Sequence, residues 1–591
     1  MTEAEFTGSY ISFSELRGPS VSSAELEAEM SRWPLDGVLG FLATLSLDAV
    51  QAGQAFFRPE RQGPYLVRAL FDDFPCRLPH AVEMYVPGRP PLTGKGHVFI
   101  HEQNIAWLSQ CALMHANARP YTPNLTYRLK CRMCRLLLIV NDIVNCGTDA
   151  VGDSLQARRT VCVDWSRHWQ FNRFFNPLAV TLCKLARQHI IMADILPKFF
   201  PHVKEAFRSA SGGIGLDRYF QILSLLTAHV YQAMRYGEHW LSADTLCSKI
   251  QANAVEVRQM LTRWTRTPET YRRDYQKQRS SQLPTQLLPG FDYVLLRQTP
   301  LIEARPNHMV CPVVPFLLAK IQDEPYFLMS DHLGDRERIQ FQAALGEAYE
   351  QYAHQLLERM AKLDEAGTWY VQRRPITSGR ELSDTYLQRG TTAIAVEHKA
   401  LRAGTSFLRG GPGDRVLGPC QEILQRLDRG EKVGLHEGRK SDSGLITRGM
   451  WQQSIHGPAL VDWAERNIGQ RPTRVFPVLT HLRGIGVDSM ARKVYLEPLI
   501  RHANLYADPF WERPQWAHVS DLEVLAYVIE TQHKDLEAIL DEKKAYAPDQ
   551  RFDVFLWSRF GSLASDKALV ERARQILGAA ARSFFPDDAS Q

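Results

Sequence analysis

An aspartate, a glutamate and a lysine lie on two neighbouring extended segments at a spacing suited to metal-assisted chemistry. Asp384 lies in the segment 382–387, and Glu397 and Lys399 lie in the segment 392–401. The composition of both segments and the glycine in the turn between them predict two adjacent strands. Two carboxylates on adjacent strands, with a lysine beside them, can hold a divalent cation and a water molecule together. Mg²⁺ suits such a site because it prefers oxygen ligands.

Alternation along the second segment predicts which side chains reach this cation. Successive side chains of a strand point to opposite faces of the sheet. We expect the face with Ile394, Val396 and His398 to lie in the core. The opposite face, with Ala395, Glu397 and Lys399, is expected to form the site. The alternative without a ligand is an ordinary exposed sheet face, on which Lys399 forms a surface ion pair with Glu397 or Asp384.

Elements on either side of these segments follow an order that can position the three residues. The segment 344–362 has apolar residues at three- and four-residue spacing, which predicts a helix, and Glu350 lies on its polar face. After it come a strand at 368–377, the two segments above, an insertion at 402–446, a helix at 447–467 and a strand at 473–482. The predicted order is therefore helix, three strands, helix and strand.

Together these features resemble the PD-(D/E)XK nuclease superfamily, which includes many restriction enzymes. Asp384, followed by Glu397, His398 and Lys399, matches the order of its motif, in which an acid on one strand precedes acid-any-lysine on the next. The resemblance covers about residues 340–485. It implies a restriction-endonuclease-like core with the element order α-β-β-β-α-β.

The resemblance extends to residues outside the motif and also departs from it. Many members carry a glutamate on the helix before the first core strand, and Glu350 corresponds to it. Ser383 stands where the name of the superfamily has proline, a residue that is not a ligand. Some members use a glutamine from the later helix, and both Gln452 and Gln453 are candidates for that position.

The resemblance implies hydrolysis of phosphodiester bonds with Mg²⁺, or Mn²⁺, as the cofactor. The implied metal ligands are Asp384, Glu397 and Glu350, joined by the backbone carbonyl of His398. A bound metal ion lowers the pKa of its water and offsets charge on the phosphate. Lys399 is expected to orient that water or help to deprotonate it, and to stabilise the developing negative charge. The implied catalytic residues are therefore Asp384, Glu397, Lys399 and Glu350.

A second pattern, at 241–264, predicts a helix-turn-helix unit, with or without a wing. Two short helical segments separated by a polar turn follow a longer helix at 216–235. Such a unit places its second helix in a major groove. The stretch that follows contains both basic and aromatic residues. The basic residues could neutralise phosphates and the aromatic residues could stack on bases. They are Arg263, Arg266, Arg272, Arg273, Lys277 and Arg279, with Trp264, Tyr271 and Tyr275. A packing module with a solvated, arginine-rich face is the alternative.

Length and composition predict a multidomain globular protein. At about 150 residues per domain, 591 residues correspond to three or four domains. The predicted fold is an α-rich α/β multidomain architecture. Its parts are helical domains at 1–240, a helix-turn-helix and linker at 241–300, the nuclease-like domain at 301–510 and a helical C-terminal region at 511–591.

Charge, cysteines and hydropathy narrow the class further. The 70 Lys plus Arg and 65 Asp plus Glu give a net charge of +5, which permits nucleic acid as a partner. Cys131 and Cys134 lack a second pair at zinc-site spacing, so no metal site is predicted there. The longest apolar runs fall short of the ~18 residues that span a bilayer, and the N-terminus lacks the order of a secretion signal. We therefore expect a cytoplasmic protein without a membrane partner.

The expected function is Mg²⁺-dependent cleavage of nucleic acid, with DNA favoured over RNA because most members of the superfamily cleave DNA. Bacterial restriction or anti-phage defence is the expected setting by analogy with the superfamily. Two alternatives lack catalysis: a protein-interaction scaffold with a degenerate nuclease fold, and a nucleic-acid-binding regulator that acts through the helix-turn-helix. A third is a nuclease held inactive until a protein trigger or partner subunit binds. The sequence leaves the oligomeric state open.

Overall fold

A computed structural model describes the chain in segments. The described residues are 22–52, 100, 102–117, 125–149, 178–236, 241–249, 254–280, 293–400, 426, 445–482, 496–546, 552–560 and 566–584. They form a mostly helical α/β structure with small mixed sheets, in agreement with the predicted α-rich α/β class. Most of the predicted insertion at 402–446 and the side chain of Arg279 lie outside the described residues. Within them, no helix has both the length and the apolar character needed to cross a membrane.

Helices make up the described chain before residue 240. The first helix begins after Ser22, whose hydroxyl accepts a hydrogen bond from the Glu25 N–H while the Glu25 carboxylate accepts one from the Ser22 N–H. This capping box satisfies amides that the helix itself leaves unpaired. The helices are α1 (Ser23–Met30), α2 (Leu35–Ala52), α3 (Glu102–His115), α4 (Tyr127–Asp149), α5 (Leu178–His189), α6 (Val203–Ala210) and α7 (Leu216–Arg235), with a π-helical turn (Ile190–Ile195) and a 3-10 turn (Leu196–Lys198) between α5 and α6.

A small four-stranded sheet and short helices follow α7. In chain order the elements are β1 (Leu241–Ser242), α8 (Ala243–Lys249), α9 (Ala254–Trp264), β2 (Thr265–Arg266), α10 (Pro268–Ser280), α11 (Val294–Gln298), β3 (Leu301–Arg305) and β4 (His308–Val310). The sheet order is β1-β4-β3-β2, with β4 antiparallel to both β1 and β3. Helices α8 and α9 lie where the sequence predicts the two short helices of a helix-turn-helix.

A five-stranded mixed sheet is the central feature of the chain after residue 310. Two helices precede it, and a separate hairpin interrupts it; in order these elements are α12 (Val314–His332), α13 (Asp335–Leu363), β5 (Tyr370–Arg373), the hairpin strands β6 (Ile376–Thr377) and β7 (Arg380–Glu381), β8 (Thr385–Arg389) and β9 (Thr392–Lys399). Then come α14 (Leu445–Ile468), β10 (Arg474–His481), α15 (Glu497–His502) and β11 (Gln515–His518). Helices α16 (Val519–Gln532), α17 (Leu536–Tyr546), α18 (Phe552–Phe560) and α19 (Lys567–Phe584) complete the described chain.

The direction of the strands changes across this sheet. Its order is β11-β10-β9-β8-β5. The strands β5, β8 and β9 pair antiparallel, whereas β9, β10 and β11 pair parallel. Helix α14 supplies the crossover between β9 and β10, as a parallel pair requires.

Two boundaries differ from those that the sequence predicts. The strand predicted at 368–377 is two strands, β5 and β6, because Arg374 has a φ of 48°, a left-handed conformation that ends the extended run. The boundary predicted at 510 falls inside the sheet, since β11 pairs with β10. The Tyr352 hydroxyl on α13 also donates to the Glu523 carboxylate on α16. Residues after 510 therefore complete the sheet and pack against α13.

Both faces of the sheet are covered by helices. Ile394 and Val396 lie in a core cluster with residues of α13 and α16. Ala395, on the other face of β9, lies in a cluster with Leu460 and Trp463 of α14. The predicted alternation along β9 is confirmed. The face that carries Glu397 and Lys399 is nevertheless not an open surface, because α14 packs over it.

A buried ion pair joins α5 to α16, a helix that covers the sheet. The Arg187 guanidinium on α5 donates to both carboxylate oxygens of Glu523 on α16 at 2.9 Å, and the Ser520 hydroxyl also accepts from it at 3.1 Å. The two side chains are 3% and 2% exposed. Because a buried charge that loses its partner is strongly destabilising, this pair fixes the position of α5 against α16.

We expect Arg187→Met to lower the free energy of unfolding by about 3–5 kcal/mol, since it leaves the Glu523 carboxylate buried without its cation. Adding Glu523→Gln to this variant should restore part of the loss, because the buried charge is then gone. Urea unfolding followed by circular dichroism measures both. Arg338→Met, which breaks an exposed pair with Asp335, is the matched control and should change stability by less than about 0.5 kcal/mol. Equal effects of Arg187→Met and the control would contradict this interpretation.

Candidate functional site

Asp384 lies at the start of β8 and is fixed by the backbone of β9. Its Oδ2 accepts a hydrogen bond from the His398 N–H at 2.6 Å. The preceding Ser383 hydroxyl donates toward the carbonyl oxygens of Thr385 and Val396, each 3.0 Å away. The serine therefore bridges β8 and β9, which a proline at this position would not do. These contacts hold the Asp384 carboxylate at the end of the β8–β9 pair.

Glu397 and Lys399 extend from β9 toward the same point. The Lys399 ammonium lies 2.8 Å from the Glu397 carboxylate and 4.0 Å from that of Asp384. It also lies 3.4 Å from the Gln452 side-chain oxygen on α14. Asp384 is 8% exposed and Glu397 is 4% exposed. The structure thus brings together Asp384, Glu397 and Lys399, the three residues of the predicted motif, in a nearly buried cluster.

Burial and mutual charge govern the ionisation of these groups. Burial, together with the adjacent Asp384 carboxylate, raises the pKa of Glu397 to about 8. Burial also opposes ionisation of Asp384, but the Lys399 ammonium and the contacts from His398 hold its pKa below the usual value. Lys399 stays protonated: burial disfavours its charge, yet Glu397 and Asp384 raise its pKa above the ordinary value. While Glu397 holds its proton, the charges of Asp384 and Lys399 balance, and loss of that proton leaves one negative charge that the lysine does not offset.

Glu350, the predicted third ligand, is engaged by an arginine. Its carboxylate forms a short ion pair with the guanidinium of Arg374, which also contacts Glu347 at 2.7 Å and Glu381 at 3.6 Å. Burial and the nearby Asp384 raise the pKa of Glu350. The same two causes raise the pKa of Glu381 to about 7. The structure thus places Glu350 beside Asp384, but with Arg374 as its direct partner.

Asp384 and Glu397 are the oxygen donors that a single divalent cation would use here. Five carboxylates lie around Lys399 and Arg374; they are those of Glu347, Glu350, Glu381, Asp384 and Glu397. Because the pKa of Glu397 is raised to about 8 and that of Glu381 to about 7, a divalent ion would compete with protons at these two groups. In the described part of the chain, no three His, Cys, Asp or Glu side chains are arranged to hold a metal ion between them. Asp384 and Glu397 remain as a pair of oxygen donors, which suffices for Mg²⁺ when water and phosphate complete its shell.

A polar network on the opposite face of the sheet supports β9 behind the cluster. The His398 ring lies 2.6 Å from the Thr480 hydroxyl through Nδ1 and 3.0 Å from the Thr385 hydroxyl through Nε2. The Tyr349 hydroxyl on α13 donates to Thr480 at 3.1 Å. Burial lowers the pKa of His398 to about 4, so the ring is neutral at physiological pH. His398 lies on the predicted face, where it is a hydrogen-bonding group rather than an apolar contact.

The two glutamines of α14 have different positions. Gln452 contacts the Lys399 ammonium. Gln453 is buried and donates to the carbonyl oxygens of Ala395 and Val478, while its side-chain oxygen accepts from the Tyr506 hydroxyl at 2.9 Å. Gln453 therefore fixes α14 to β9 and β10, and Gln452 is the glutamine that reaches the cluster.

The structure separates the candidate nucleic-acid residues into two groups. Arg263 donates to the Ser211 carbonyl, Arg266 pairs with Asp274, and Arg272 donates to the carbonyls of Leu113 and Ala116 at the end of α3. Arg273 and Lys277 are exposed on α10, and Arg279 lies in its last turn.

The aromatic residues of this stretch lie mainly in the core. Trp264 is 1% exposed and Tyr271 is 0% exposed, so neither ring can stack on a base. Tyr275 is half-buried against the same core. Arg263, Arg266 and Arg272 thus contact protein groups and are only partly exposed, as these rings are buried or half-buried. Arg273 and Lys277 are exposed, although Arg273 also lies 3.3 Å from the Asp274 carboxylate.

Comparison with known proteins adds no family assignment. No protein-family model, no curated protein and no solved structure matches the chain. Sequence reasoning missed Arg374, Glu381 and Tyr506 in its surroundings. The double arginine at 373–374, directly before a proline, was the signal available for the first of these.

A close approach of α14 to Lys399 gives a test of this packing. A Cβ added at Gly449 would lie 2.5 Å from Leu479 Cδ1 and 3.2 Å from Lys399 Cε. We expect Gly449→Ala to destabilise the protein by about 1–3 kcal/mol through overpacking. Gly346→Ala on α13, where nothing lies within 4 Å, should instead stabilise by about 0.5–1 kcal/mol. Urea unfolding of both variants checks the pair, and equal effects would contradict the described approach of α14.

Proposed function

We propose that the chain is a divalent-metal-dependent nuclease that hydrolyses phosphodiester bonds in nucleic acid, with DNA favoured over RNA. The observation that carries the proposal is the convergence of Asp384, Glu397 and Lys399 at one end of β8 and β9. The element order α13, β5, β8, β9, α14, β10 supports it, because it follows the α-β-β-β-α-β order of the PD-(D/E)XK superfamily that the motif resembles. Mg²⁺ or Mn²⁺ is the proposed cofactor.

Asp384 and Glu397 are the residues that would hold the metal ion. When bound, the ion supplies a water of lowered pKa and positive charge for the phosphate. Asp384 is suited to this role because the Lys399 ammonium and the His398 N–H keep it ionised. Glu397 binds a cation in competition with a proton, since burial and Asp384 raise its pKa to about 8. A cation at this pair therefore has to displace either that proton or the contact with Lys399.

Lys399 acts as a positive charge in this proposal. Its Nζ carries a proton, because Glu397 and Asp384 raise its pKa against the effect of burial. An ammonium group can orient a water molecule or a phosphate oxygen and stabilise charge that develops in the transition state. The Gln452 side-chain oxygen lies 3.4 Å from the Lys399 ammonium. It would hold the ammonium in place if Glu397 bound a metal ion instead. This assigns Lys399 to charge stabilisation rather than to proton abstraction.

Conservative substitutions in the cluster test catalysis directly. We expect Asp384→Asn, Glu397→Gln and Lys399→Met each to lower the rate of DNA cleavage in Mg²⁺ by at least about 100-fold. The first two remove a charged ligand of the metal ion, and the third removes the positive charge that would stabilise the transition state. Supercoiled plasmid, linear duplex, single-stranded DNA and RNA are incubated with the purified protein in Mg²⁺, Mn²⁺ or EDTA. Cleavage should require metal.

The controls are the same chemical changes on an exposed pair. Glu358→Gln and Lys362→Met break an ion pair on the outer face of α13 and should leave the rate unchanged. If all variants cut as fast as the unchanged protein, the nuclease activity does not come from this cluster. If the unchanged protein neither cuts any substrate nor binds Mn²⁺ in calorimetry, the scaffold interpretation replaces the proposal.

Nucleic-acid binding outside the cluster is a second candidate function, favoured by the sheet of residues 241–310. Apart from β2, α10 and α11, which lie between α9 and β3, the order α7, β1, α8, α9, β3 and β4 follows that of a winged helix-turn-helix. The pairing of β1 with β4 agrees with such a unit, in which a helix enters the major groove. Arg258 and Thr262 are exposed on α9, and Arg273 and Lys277 are exposed on the adjacent α10. These four residues are the polar surface that such a unit would offer.

Charge reversal at the exposed residues of α10 tests this surface. We expect Arg273→Glu with Lys277→Glu to weaken duplex binding and to lower the slope of log affinity against log salt by about 2, because two phosphate contacts are lost. Fluorescence anisotropy at several salt concentrations measures both. The matched control reverses two exposed charges on α13, with Arg338→Glu and Lys362→Glu, and should retain the original slope. An unchanged slope in the α10 variant would count against this surface.

A further inference from the structure

The backbone around Arg374 fixes its side chain beside Asp384. Arg374 has a left-handed φ of 48°, and its N–H donates to the Asp384 carbonyl at 3.1 Å. The Leu382 N–H donates to the Pro375 carbonyl at 2.9 Å. The β6–β7 hairpin therefore leaves the sheet and returns to it through paired strands, with Arg374 at its base. Because an arginine in this conformation is strained, its position is set by these contacts.

Three carboxylates surround the Arg374 guanidinium. Glu347 lies at 2.7 Å, Glu381 lies at 3.6 Å, and Glu350 forms the shortest contact. Glu347 and Glu350 come from α13, and Glu381 comes from β7. The Arg374 side chain is 29% exposed, so its guanidinium lies partly at the surface rather than in the core. Burial disfavours its charge, but these carboxylates raise the pKa of Arg374 further above its ordinary value.

A guanidinium differs from a metal ion in ways that matter here. It stays charged at every physiological pH and presents several donors in a rigid plane. It can therefore satisfy several carboxylates at once, as a cation of fixed position that cannot be lost to a chelator. Glu350 is also near enough to Asp384 for that carboxylate to raise its pKa. A metal ion bridging these two carboxylates would have to take the place of Arg374 at Glu350.

We infer that Arg374 takes the place of a second metal ion: it keeps Glu350 out of the metal shell and limits the site to one divalent cation, held by Asp384 and Glu397. The inference rests on the proposed function. It assigns Glu350 to positioning Arg374, in place of the metal-ligand role that the family resemblance implies. It also assigns Arg374 to supplying, at the Asp384 side of the site, positive charge that a second ion would otherwise bring to the phosphate.

Calorimetric titration of the full chain with MnCl₂ tests the inference. The unchanged protein should bind one Mn²⁺. Arg374→Met should bind two, because Glu350, Glu347 and Glu381 lose their cation, and adding Glu350→Gln should return the number to one. Cleavage by Arg374→Met should nevertheless fall by at least about tenfold, since fixed positive charge is lost. Arg374→Lys, which keeps a cation in place, should still bind one ion.

Two controls keep the result interpretable. Arg373→Met removes the neighbouring arginine, which contacts Gln351 and Glu347, and should still bind one Mn²⁺. Glu350→Gln alone leaves Arg374 in place and should also bind one ion with an affinity within about threefold of the original, so the test stands even if Arg374→Met does not fold.

The outcomes separate the inference from the function on which it rests. Two ions on the unchanged protein, or a loss of Mn²⁺ binding in Glu350→Gln, would overturn the role of Arg374 while leaving a metal-dependent nuclease. The role of Arg374 would also be overturned if Arg374→Met bound one Mn²⁺ and cleaved DNA at an unchanged rate. No Mn²⁺ binding and no cleavage by the unchanged protein would overturn the proposed function itself, and the inference with it.

Discussion

The hydrogen bond from the His398 N–H to the Asp384 carboxylate is the contact on which the rest of the site depends. It places a charged group inside a sheet whose two faces are both covered by helices. Burying a carboxylate costs several kcal/mol unless it is paired and hydrogen-bonded. The same strand that donates this bond carries Glu397 and Lys399 on the face toward α14, so one local arrangement both stabilises Asp384 and brings its partners to it. The His398 ring then fixes β9 from behind through Thr480 and Thr385.

Competition between cations connects this arrangement to the proposed chemistry. Burial and the neighbouring Asp384 carboxylate raise the pKa of Glu397 to about 8 and of Glu381 to about 7, and Lys399 and Arg374 supply the positive charge beside these groups. A divalent ion bound by Asp384 and Glu397 would offset the repulsion between these carboxylates and would compete with the Lys399 ammonium for Glu397. The proposed nuclease would therefore assemble its working arrangement only when metal binds. That property is also compatible with control by a trigger or partner, which was one of the alternatives open from sequence.

The parts of the site that follow from local periodicity were predictable. Strand alternation and the glycine turn located Asp384, Glu397 and Lys399, which the structure brings together. Glu350 was added by the family resemblance, and the structure pairs it with Arg374. Arg374 and Glu381 were not predictable, because they reach the site through a left-handed residue and a short hairpin inside what the sequence presents as one strand. Part of the aromatic and arginine pattern at 263–279 is used in tertiary packing, which the sequence also did not reveal. Arg272 ends α3 by donating to Leu113 and Ala116, a tertiary contact that no local pattern encodes, and Trp264 and Tyr271 are needed in the core.

The most direct test of the central claim is to locate the metal ion. Crystals of the full chain soaked in Mn²⁺ would be measured at a wavelength where manganese scatters anomalously. The account predicts one strong anomalous peak bridging the carboxylates of Asp384 and Glu397 at about 2 Å from their oxygens, with Arg374 still bound to Glu350. A peak elsewhere in the protein, or none at this pair with the metal present in excess, would contradict it.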